Sequence, residues 1–241
     1  MKKSTKLVLT AVLIFIITLG VYNAALKAEY LKGTYKDPFQ NFTDQNFNDF
    51  NTVVVNAGSV INVKIEKGDY QVRVHQDATE FIKIKQEGSC LIVDVIFPEK
   101  SQRVWASNHV VIACPELQSL RTNTAYTING KMVTDKEANR QAVMLEGFAQ
   151  DKLEIKMDNA SHVVLAHNNI KFLDAVAGMS SGSNSKLNLT ETNQLQAAKL
   201  DIRNKSQLIL DNLVIHNLSY TFSDSASLDI KKSALQLLKN R

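Results

Sequence analysis

The sequence predicts an all-β fold: a right-handed parallel β-helix or β-solenoid-like domain, preceded by one N-terminal transmembrane helix. Three observations lead to this fold class. A long uncharged apolar run begins at Leu7. From Phe50 onward, apolar and polar residues alternate with a period of two, which is typical of strands that bury one face. In the second half, a strand pattern recurs with the regular spacing that is typical of solenoids.

The apolar run predicts a membrane anchor. As a helix, Leu7 to Leu26 would extend about 30 Å, the thickness of a bilayer core. Lys2, Lys3 and Lys6 precede the run, so the positive-inside bias places the N-terminus in the cytoplasm and the remainder in the periplasm or extracellular space. A cleaved signal peptide is the alternative. No clean small-x-small triplet follows the run, which favours an uncleaved, single-pass signal anchor over residues 1–28 in the cell membrane.

The rest of the chain divides into three parts. Residues 29–50 are polar and rich in aromatic side chains, without clear periodicity, and are interpreted as a linker. Residues 51–232 are predicted to form the β-solenoid-like domain. An open solenoid end exposes backbone and core, so we expect residues 233–241 to be a C-terminal cap or tail. This last segment contains Leu235, Leu237 and Leu238.

The first half of the domain predicts short strands joined by turns. In residues 61–66, apolar residues at the odd positions alternate with Asn62, Lys64 and Glu66 at the even ones. Gly68-Asp69 marks a turn, and the same alternation continues through residues 70–75, 82–85 and 91–95. Short alternating strands separated by frequent turns indicate a sheet with one buried face. No helix is predicted between residues 50 and 230. The one place where the pattern leaves room for a helix is a loop near residues 135–140.

Four copies of a repeat occupy the second half. Each copy has the form Ser/Ala-x-φ-x-φ, where φ is Leu, Val or Ile, and the copies follow one another at nearly even spacing. A second set of strand positions lies eight, six and four places before each start, with a polar corner between. The starts are Ser161, Ser185, Ser206 and Ala226. The earlier strand positions are Leu153, Ile155 and Met157; Ala177, Met179 and Ser181; Ala198, Leu200 and Ile202; Leu218, Tyr220 and Phe222.

This repeat favours a solenoid over the alternative, a meander of antiparallel hairpins with accidental spacing. A single coil cannot bury its own inward residues, so coils stack and bury a continuous core. Asn and Ser residues at the polar corners are placed to form side-chain ladders along the stack.

A family resemblance lies in five parts of the chain: Phe50–Val55, Val60–Gly68, Val72–Val74, Gly88–Val95 and the later Asn- and Ser-rich repeats. In these loose patterns, over nearly all of residues 50–230, the chain resembles the auto-transporter adhesin, head GIN domain family, a family of exported bacterial proteins of unknown function. The resemblance implies a parallel β-helix-like fold, a cell-envelope location and an adhesion role, and it transfers no binding residues.

The distribution of charge excludes nucleic-acid binding. The formal net charge is +4, and four lysines that flank the apolar run account for all of it: Lys2, Lys3, Lys6 and Lys27. The remaining chain is therefore near neutral and has no clustered basic face.

The two cysteines leave two readings open. In an exported domain, Cys90 and Cys114 pair as a disulfide, or they stay as two thiols that pack as small hydrophobes.

The sequence predicts no catalytic, cofactor-binding or metal-binding residues. His162 and His167 are five positions apart, on opposite sides of a strand or across a corner, and no cysteine or acidic cluster completes a metal site. Carboxylates in the coils are the only candidates for a polysaccharide-cleaving pair, and corner hydrogen bonding explains them better. These carboxylates are Asp158, Asp201, Asp211, Asp224 and Asp229. Five Asn-x-Ser/Thr sequons begin at Asn41, Asn159, Asn188, Asn204 and Asn217, and Asn-rich turns account for those in the coils.

The function that these features favour is non-enzymatic: a membrane-anchored β-solenoid with an adhesin-like or scaffold role, which presents a surface to an envelope protein or glycan. Two alternatives stay open, a polysaccharide-acting β-helix enzyme and a structural or sensory part of an envelope complex. The predicted outward positions are mixed in character, which favours neither an acidic nor an aromatic track. They are His162, Lys186, Gln207 and Ser227, with Trp105 an isolated aromatic residue.

Overall fold

A computed structural model describes residues 2–33, 36–100, 106–137, 140–213 and 215–231. The chain separates into two compact units, Met1–Phe42 and Thr43–Arg241. Trp105 and the predicted cap, 233–241, lie outside the described residues.

The first unit contains a helix, α1, at Lys3–Lys32. Its most apolar window has a mean hydropathy of 2.3, and none of its described side chains is buried. The helix ends at Gly33, whose φ of 70° allows its N–H to donate to the carbonyl oxygen of Tyr30. The predicted apolar helix is therefore confirmed, and by length and composition it is able to cross a membrane.

The second unit is mostly β. The strands of the described residues are β1 (Phe42–Gln45), β2 (Thr52–Val55), β3 (Val63–Lys67), β4 (Gln71–His75), β5 (Ile82–Glu87), β6 (Cys90–Phe97), β7 (Val110–Cys114), β8 (Ser119–Thr122), β9 (Ala125–Ile128), β10 (Lys131–Thr134), β11 (Val143–Glu146), β12 (Ala149–Met157), β13 (His162–Ala166), β14 (Asn169–Ala177), β15 (Lys186–Leu189), β16 (Gln194–Ile202), β17 (Gln207–Asp211), β18 (Ile215–Phe222) and β19 (Ser227–Lys231). A short 3-10 helix, Gln76–Ala78, follows β4.

These strands form two mixed sheets. The nine-stranded sheet has the order β1-β4-β7-β3-β11-β13-β15-β17-β19. The ten-stranded sheet has the order β10-β9-β6-β2-β8-β12-β14-β16-β18, with β5 paired to β6. Among the described strand pairs, β4–β7, β5–β6 and β9–β10 are antiparallel. The pairs from β11 onward are parallel.

From β11 onward, the chain passes from one sheet to the other with every strand. Each strand then pairs in parallel with the strand two places later in the chain. In the nine-stranded sheet, Val163 pairs with Leu187, Leu187 with Leu208, and Leu208 with Leu228. These partners occupy the same place in each predicted copy, so the predicted repeat is confirmed as a strand-pairing register.

One predicted register is wrong. The second repeat was expected to place Met179 and Ser181 in a strand, but β14 ends at Ala177 and pairs Leu173 with Leu153. Met179 is 46% exposed. The corner from 178 to 185 is twice as long as the corner from 158 to 161. Counting a constant number of positions back from each start therefore gives the wrong strand positions in this copy of the repeat.

The core lies between the two sheets and consists of the inward rows of each. The side chains of Val163, Leu187 and Leu208 are buried, as are Leu153 and Leu173 of the other sheet. In the first half, the predicted alternation is confirmed, because Ile61, Val63 and Ile65 are all fully buried. Large aromatic side chains complete the core there: Phe50, Phe81, Phe97 and Phe148.

The two cysteines are free thiols. Cys90 lies in β6 of the ten-stranded sheet and Cys114 ends β7 of the nine-stranded sheet. Burial raises the pKa of the Cys114 thiol to about 12, so this side chain packs as a small hydrophobe and stays protonated.

Candidate functional site

The candidate site is a groove where the strands of the nine-stranded sheet end. It has a volume of about 320 Å³ and crosses the ends of β13, β15, β17 and β19. We call it the corner groove. Its lining residues are Ala166, His167, Thr190, Glu191, Thr192, Asp211, Asn212 and Lys231.

Left-handed backbone positions help to shape this corner. His167 and Asn212 have φ values of 57° and 52°, and each follows the last residue of a strand. A residue in this conformation turns the chain sharply, and Asn and His adopt it more readily than most side chains. The chain therefore leaves the nine-stranded sheet directly after these strands, and the polar side chains of successive corners come to lie above one another.

The lining side chains form a connected polar surface. The Lys231 ammonium lies 3.0 Å from Asp211 Oδ1, and this hydrogen bond is the main reason that the pKa of Lys231 is raised. Asn212 Nδ2 donates to Glu191 Oε2 at 3.3 Å. The hydroxyls of Thr190 and Thr192 are 2.8 Å apart. The corner groove thus alternates carboxylate, amide, hydroxyl and ammonium groups, which are suited to bind a ligand through many hydrogen bonds.

A buried asparagine ladder supports the groove from below. Asn168 and Asn193 are 2% and 4% exposed, and the Asn168 Nδ2 donates to Asn193 Oδ1 at 3.0 Å. Asn193 Nδ2 in turn donates to the backbone carbonyls of Leu165 and Thr190. The ladder therefore fixes the position of the corners whose outer residues line the groove.

A second ladder occupies the opposite corner of the stack. Asn159, with φ of 56°, accepts hydrogen bonds at its carbonyl oxygen from the hydroxyls of Ser183 and Ser185. Asp158 is buried there. Burial alone would raise the pKa of its carboxyl, but the hydrogen bonds from Ser180 and from the backbone outweigh burial and lower it. The predicted Asn and Ser ladders are confirmed at this corner, which is closed by its own hydrogen bonds.

Of the five carboxylates considered as a hydrolytic pair, Asp211 and Asp229 are neighbours on the outer face of β17 and β19, where both act on Lys231, and the other three lie in other elements. Asp158 is in the second ladder, and Asp201 binds Arg203 on the ten-stranded sheet. Asp211 lines the corner groove, where Lys231 neutralises it. Asp224 is exposed in the corner after β18, and Asp229 lies within β19.

The histidines are also dispersed. His162 lies on the outer face of β13, and His167 is at the corner beyond it, as their spacing predicted. His109 is buried, and its Nδ1 accepts a hydrogen bond from the backbone N–H of Asn62. Among the described residues, no group of three or more His, Cys, Asp or Glu side chains is arranged to hold a metal ion.

Two of the sequon asparagines have structural roles. Asn159 is 6% exposed, and Asn204 Nδ2 donates to the carbonyl oxygen of Gly178. Asn188 Oδ1 is buried on the outer face of β15. Asn41 and Asn217 are exposed.

His162 makes the stability of the domain dependent on pH. Burial, with a smaller contribution from the Lys186 ammonium, lowers the pKa of His162 to about 4 from an ordinary value near 6.5. Between these values the unfolded chain binds the proton and the folded chain does not. The contribution of His162 to stability is therefore intact above about pH 6.5 and decreases as the pH falls toward about 4. The buried Nε2, which has no hydrogen-bond partner in the described part of the chain, accounts for this resistance to protonation.

We expect His162→Gln to reduce the loss of unfolding free energy between about pH 6.5 and pH 4, measured by urea titration at several pH values. His216→Gln, at an exposed position of β18, is the matched control and should keep the wild-type slope. Identical slopes for wild type and His162→Gln would show that His162 is protonated as easily in the folded chain as in the unfolded one.

The corner groove itself was not predicted. The repeat predicts the strand after each start and the polar corner before that start, but it does not predict the second corner, which follows the strand. The signal was present in the sequence, because Ala166-His167, Thr190-Glu191 and Asp211-Asn212 occupy the same two places after their starts. The residue types at these equivalent positions differ from one copy to the next, so the sequence does not show directly that the three dipeptides line one surface.

Comparison with known proteins gives weak likenesses. No family model and no curated protein matches the chain, so the resemblance to the head GIN domain family stays a prediction. A solved structure named "putative adhesin" from Bacteroides fragilis has 12% identity and a TM-score of 0.46, over 79% of this chain and 96% of that one. A "putative adhesin" from Parabacteroides distasonis has 9% identity and a TM-score of 0.33 over 79% and 96% of the two chains. A "putative lipid binding protein" from the same species has 11% identity and a TM-score of 0.26 over the same shares.

Proposed function

We propose that this chain is a membrane-anchored, extracytoplasmic binding protein with a non-enzymatic, adhesin-like or scaffold role. In this proposal, its β unit is a right-handed parallel β-solenoid, and its corner groove binds an extended polar ligand. The observation that carries the proposal is the groove: hydrogen-bonding side chains from four successive strand ends line up along one corner of a parallel stack.

The membrane location is supported by helix α1 and its flanking charges. A helix of this length rises about 45 Å, more than the bilayer core requires, and Lys3 and Lys6 lie at the N-terminal end. These charges favour a cytoplasmic N-terminus and an extracytoplasmic β unit.

The solenoid is supported by the strand pairing from β11 to β19. In both sheets, each strand pairs in parallel with the equivalent strand of the next coil, and the chain visits the two sheets in turn. This is the geometry of a coil whose turns stack along one axis. The right-handed sense follows from the strong preference of parallel crossover connections for that hand.

The ligand class follows from the shape and lining of the groove. Neighbouring strands lie about 4.8 Å apart, so a groove over four strand ends is roughly 14 Å long, enough for several units of an extended chain. Carboxylate, amide and hydroxyl groups accept from and donate to sugar hydroxyls. An envelope glycan is therefore the proposed ligand.

The test uses the full chain in lipid nanodiscs and a panel of envelope polysaccharides and oligosaccharides. We expect at least one glycan to bind, and the double variant Asp211→Asn with Glu191→Gln to weaken that binding about thirtyfold, because a neutral hydrogen bond is about 1 kcal/mol weaker than a charge-assisted one at each of the two positions. Asp174→Asn is the control, since Asp174 lies half-buried in β14 of the other sheet. Equal loss in the control, or binding unaffected by the groove variants, would place the glycan elsewhere. No binding across the panel would reject the glycan as ligand.

A further inference from the structure

The turn between β15 and β16 holds two exposed side chains against the corner groove. The Asn193 N–H donates to the carbonyl oxygen of Thr190 at 3.2 Å, which closes a four-residue turn with Glu191 and Thr192 at its central positions. The buried Asn193 side chain also donates to this carbonyl oxygen, at 2.9 Å. The turn is therefore fixed from below, and the side chains of Glu191 and Thr192 at its tip line the groove.

The hydroxyl protons of this turn are already used within the protein. Thr190 Oγ1 donates its proton to the carbonyl oxygen of Leu165 at 2.9 Å. The hydrogen bond between the hydroxyls of Thr190 and Thr192 must then use the proton of Thr192, because each hydroxyl has only one. Thr192 Oγ1 also accepts from the backbone N–H of His167 at 2.9 Å, which leaves it one lone pair and no proton for a ligand.

Glu191 carries a charge that no cation of the described residues neutralises. Its Oε2 accepts from Asn212 Nδ2 at 3.3 Å, a neutral donor, and the carboxylate forms no ion pair within the part of the chain that the structure describes. The other carboxylate of the groove, Asp211, lies 3.0 Å from the Lys231 ammonium. Glu191 is therefore the carboxylate of the groove whose charge is left for a ligand.

The cationic groups near the groove lie to either side of the turn. Lys231 comes from β19, two strands and roughly 10 Å from β15. The carboxylate within ion-pair distance of the His167 ring is Glu146 of β11, 3.9 Å from Nδ1, on the other side of β13 from β15.

The side chains of the turn thus offer a ligand acceptors and no donors. A primary ammonium is the complementary group, because it has three N–H donors, no acceptor and a positive charge. A sugar hydroxyl is a poorer match, since it is neutral and supplies a single donor.

We propose that the ligand of the corner groove is a glycan with free amino groups, and that the Glu191 carboxylate binds one of its protonated amines, with Thr192 Oγ1 as a second acceptor. The assignment rests on the proposed function, because it names the chemical class of the ligand in that groove. The preference for an amine belongs to the β15 end, since Lys231 at the β19 end repels a second cation. There, the Lys231 ammonium donates to hydroxyls of the same glycan.

The test compares a chitosan oligosaccharide with the chitin oligosaccharide of the same length, which differ only in their amines. N-acetylation turns each ammonium into a neutral amide. Binding is measured near neutral pH and at low salt, with the full chain in nanodiscs of zwitterionic lipid. We expect the chitosan oligosaccharide to bind about fivefold more tightly or better, because a charge-assisted hydrogen bond is roughly twice as strong as a neutral one.

Glu191→Gln should abolish this preference, so that the two oligosaccharides bind with affinities within about twofold of each other. Glutamine keeps the size of the side chain and an acceptor for Asn212. Glu80→Gln is the matched control, because it removes the same charge from an exposed glutamate that lies just before β5. This variant should keep the preference of the wild type.

Two results would overturn the amine assignment and leave a glycan-binding groove in place: equal affinity of the wild type for the two oligosaccharides, or a preference that persists in Glu191→Gln. Binding of neither oligosaccharide would overturn it as well. The panel of envelope polysaccharides would then decide separately whether the groove binds a different glycan.

Discussion

Gly178→Ala is expected to lower the free energy of unfolding by roughly 2–5 kcal/mol, because two independent costs add at this position. The backbone has φ of 85°, a conformation that an L-residue adopts at a cost of about 1–2 kcal/mol. An added Cβ would also overlap the Arg203 carbonyl oxygen and Ser206 Oγ of the corner between β16 and β17, and overpacking of this kind costs about 1–3 kcal/mol.

Gly182→Ala separates these two costs. Gly182 lies in the same corner with φ of 73°, but no atom lies within 4 Å of its added Cβ. The control should therefore lose only about 1 kcal/mol. Equilibrium urea unfolding of both variants measures the difference. Equal destabilisation would mean that the corner relaxes away from Arg203 and that the two corners are not in tight contact there.

Asn168→Leu should cost a similar amount, roughly 3–5 kcal/mol, because several buried groups lose their partners at once. The Asn168 side chain accepts from the Phe148 N–H at 3.0 Å and donates to the Leu145 carbonyl oxygen at 2.9 Å and to Asn193 Oδ1 at 3.0 Å. Leucine fills a comparable space but makes none of these bonds. Each buried group that loses its partner costs about 1–3 kcal/mol.

Asn188→Leu is the control for the Asn168 variant. Its buried Oδ1 has no hydrogen-bond partner in the described part of the chain, so the substitution removes an unsatisfied polar atom and should be neutral or slightly stabilising. Thermal or urea unfolding measures both variants. If Asn168→Leu unfolds at the same denaturant concentration as Asn188→Leu, the asparagine ladder contributes specificity to the fold but little stability.

Several features were predictable from the sequence because they depend on local periodicity. The alternation at Ile61, Val63 and Ile65 is a property of neighbouring residues, and the structure buries all three. The repeat starts at Ser161, Ser185 and Ser206 are a property of spacing, and the strands that follow them pair in register.

Other features depend on contacts that no local pattern contains. The long corner after β14 adds residues without changing the strands on either side. Counting backward from Ser185 cannot detect this extra length, so it places the preceding strand too close to Ser185. The corner groove depends on which corners lie side by side, since Glu191 and Asp211 come from different corners and line one surface. The free thiols of Cys90 and Cys114 likewise follow from their placement in different sheets.

The last two repeats have equal chain length, because the step from Leu208 to Leu228 matches the step from Leu195 to Ile215. Duplication of one such segment would add one parallel strand to each sheet, and each flanking strand would still meet a surface of the kind that it already packs against. Every duplication would lengthen the groove by about 4.8 Å and add its own set of polar side chains. A lineage could therefore change the length of the groove by gene duplication alone, without redesigning any existing strand.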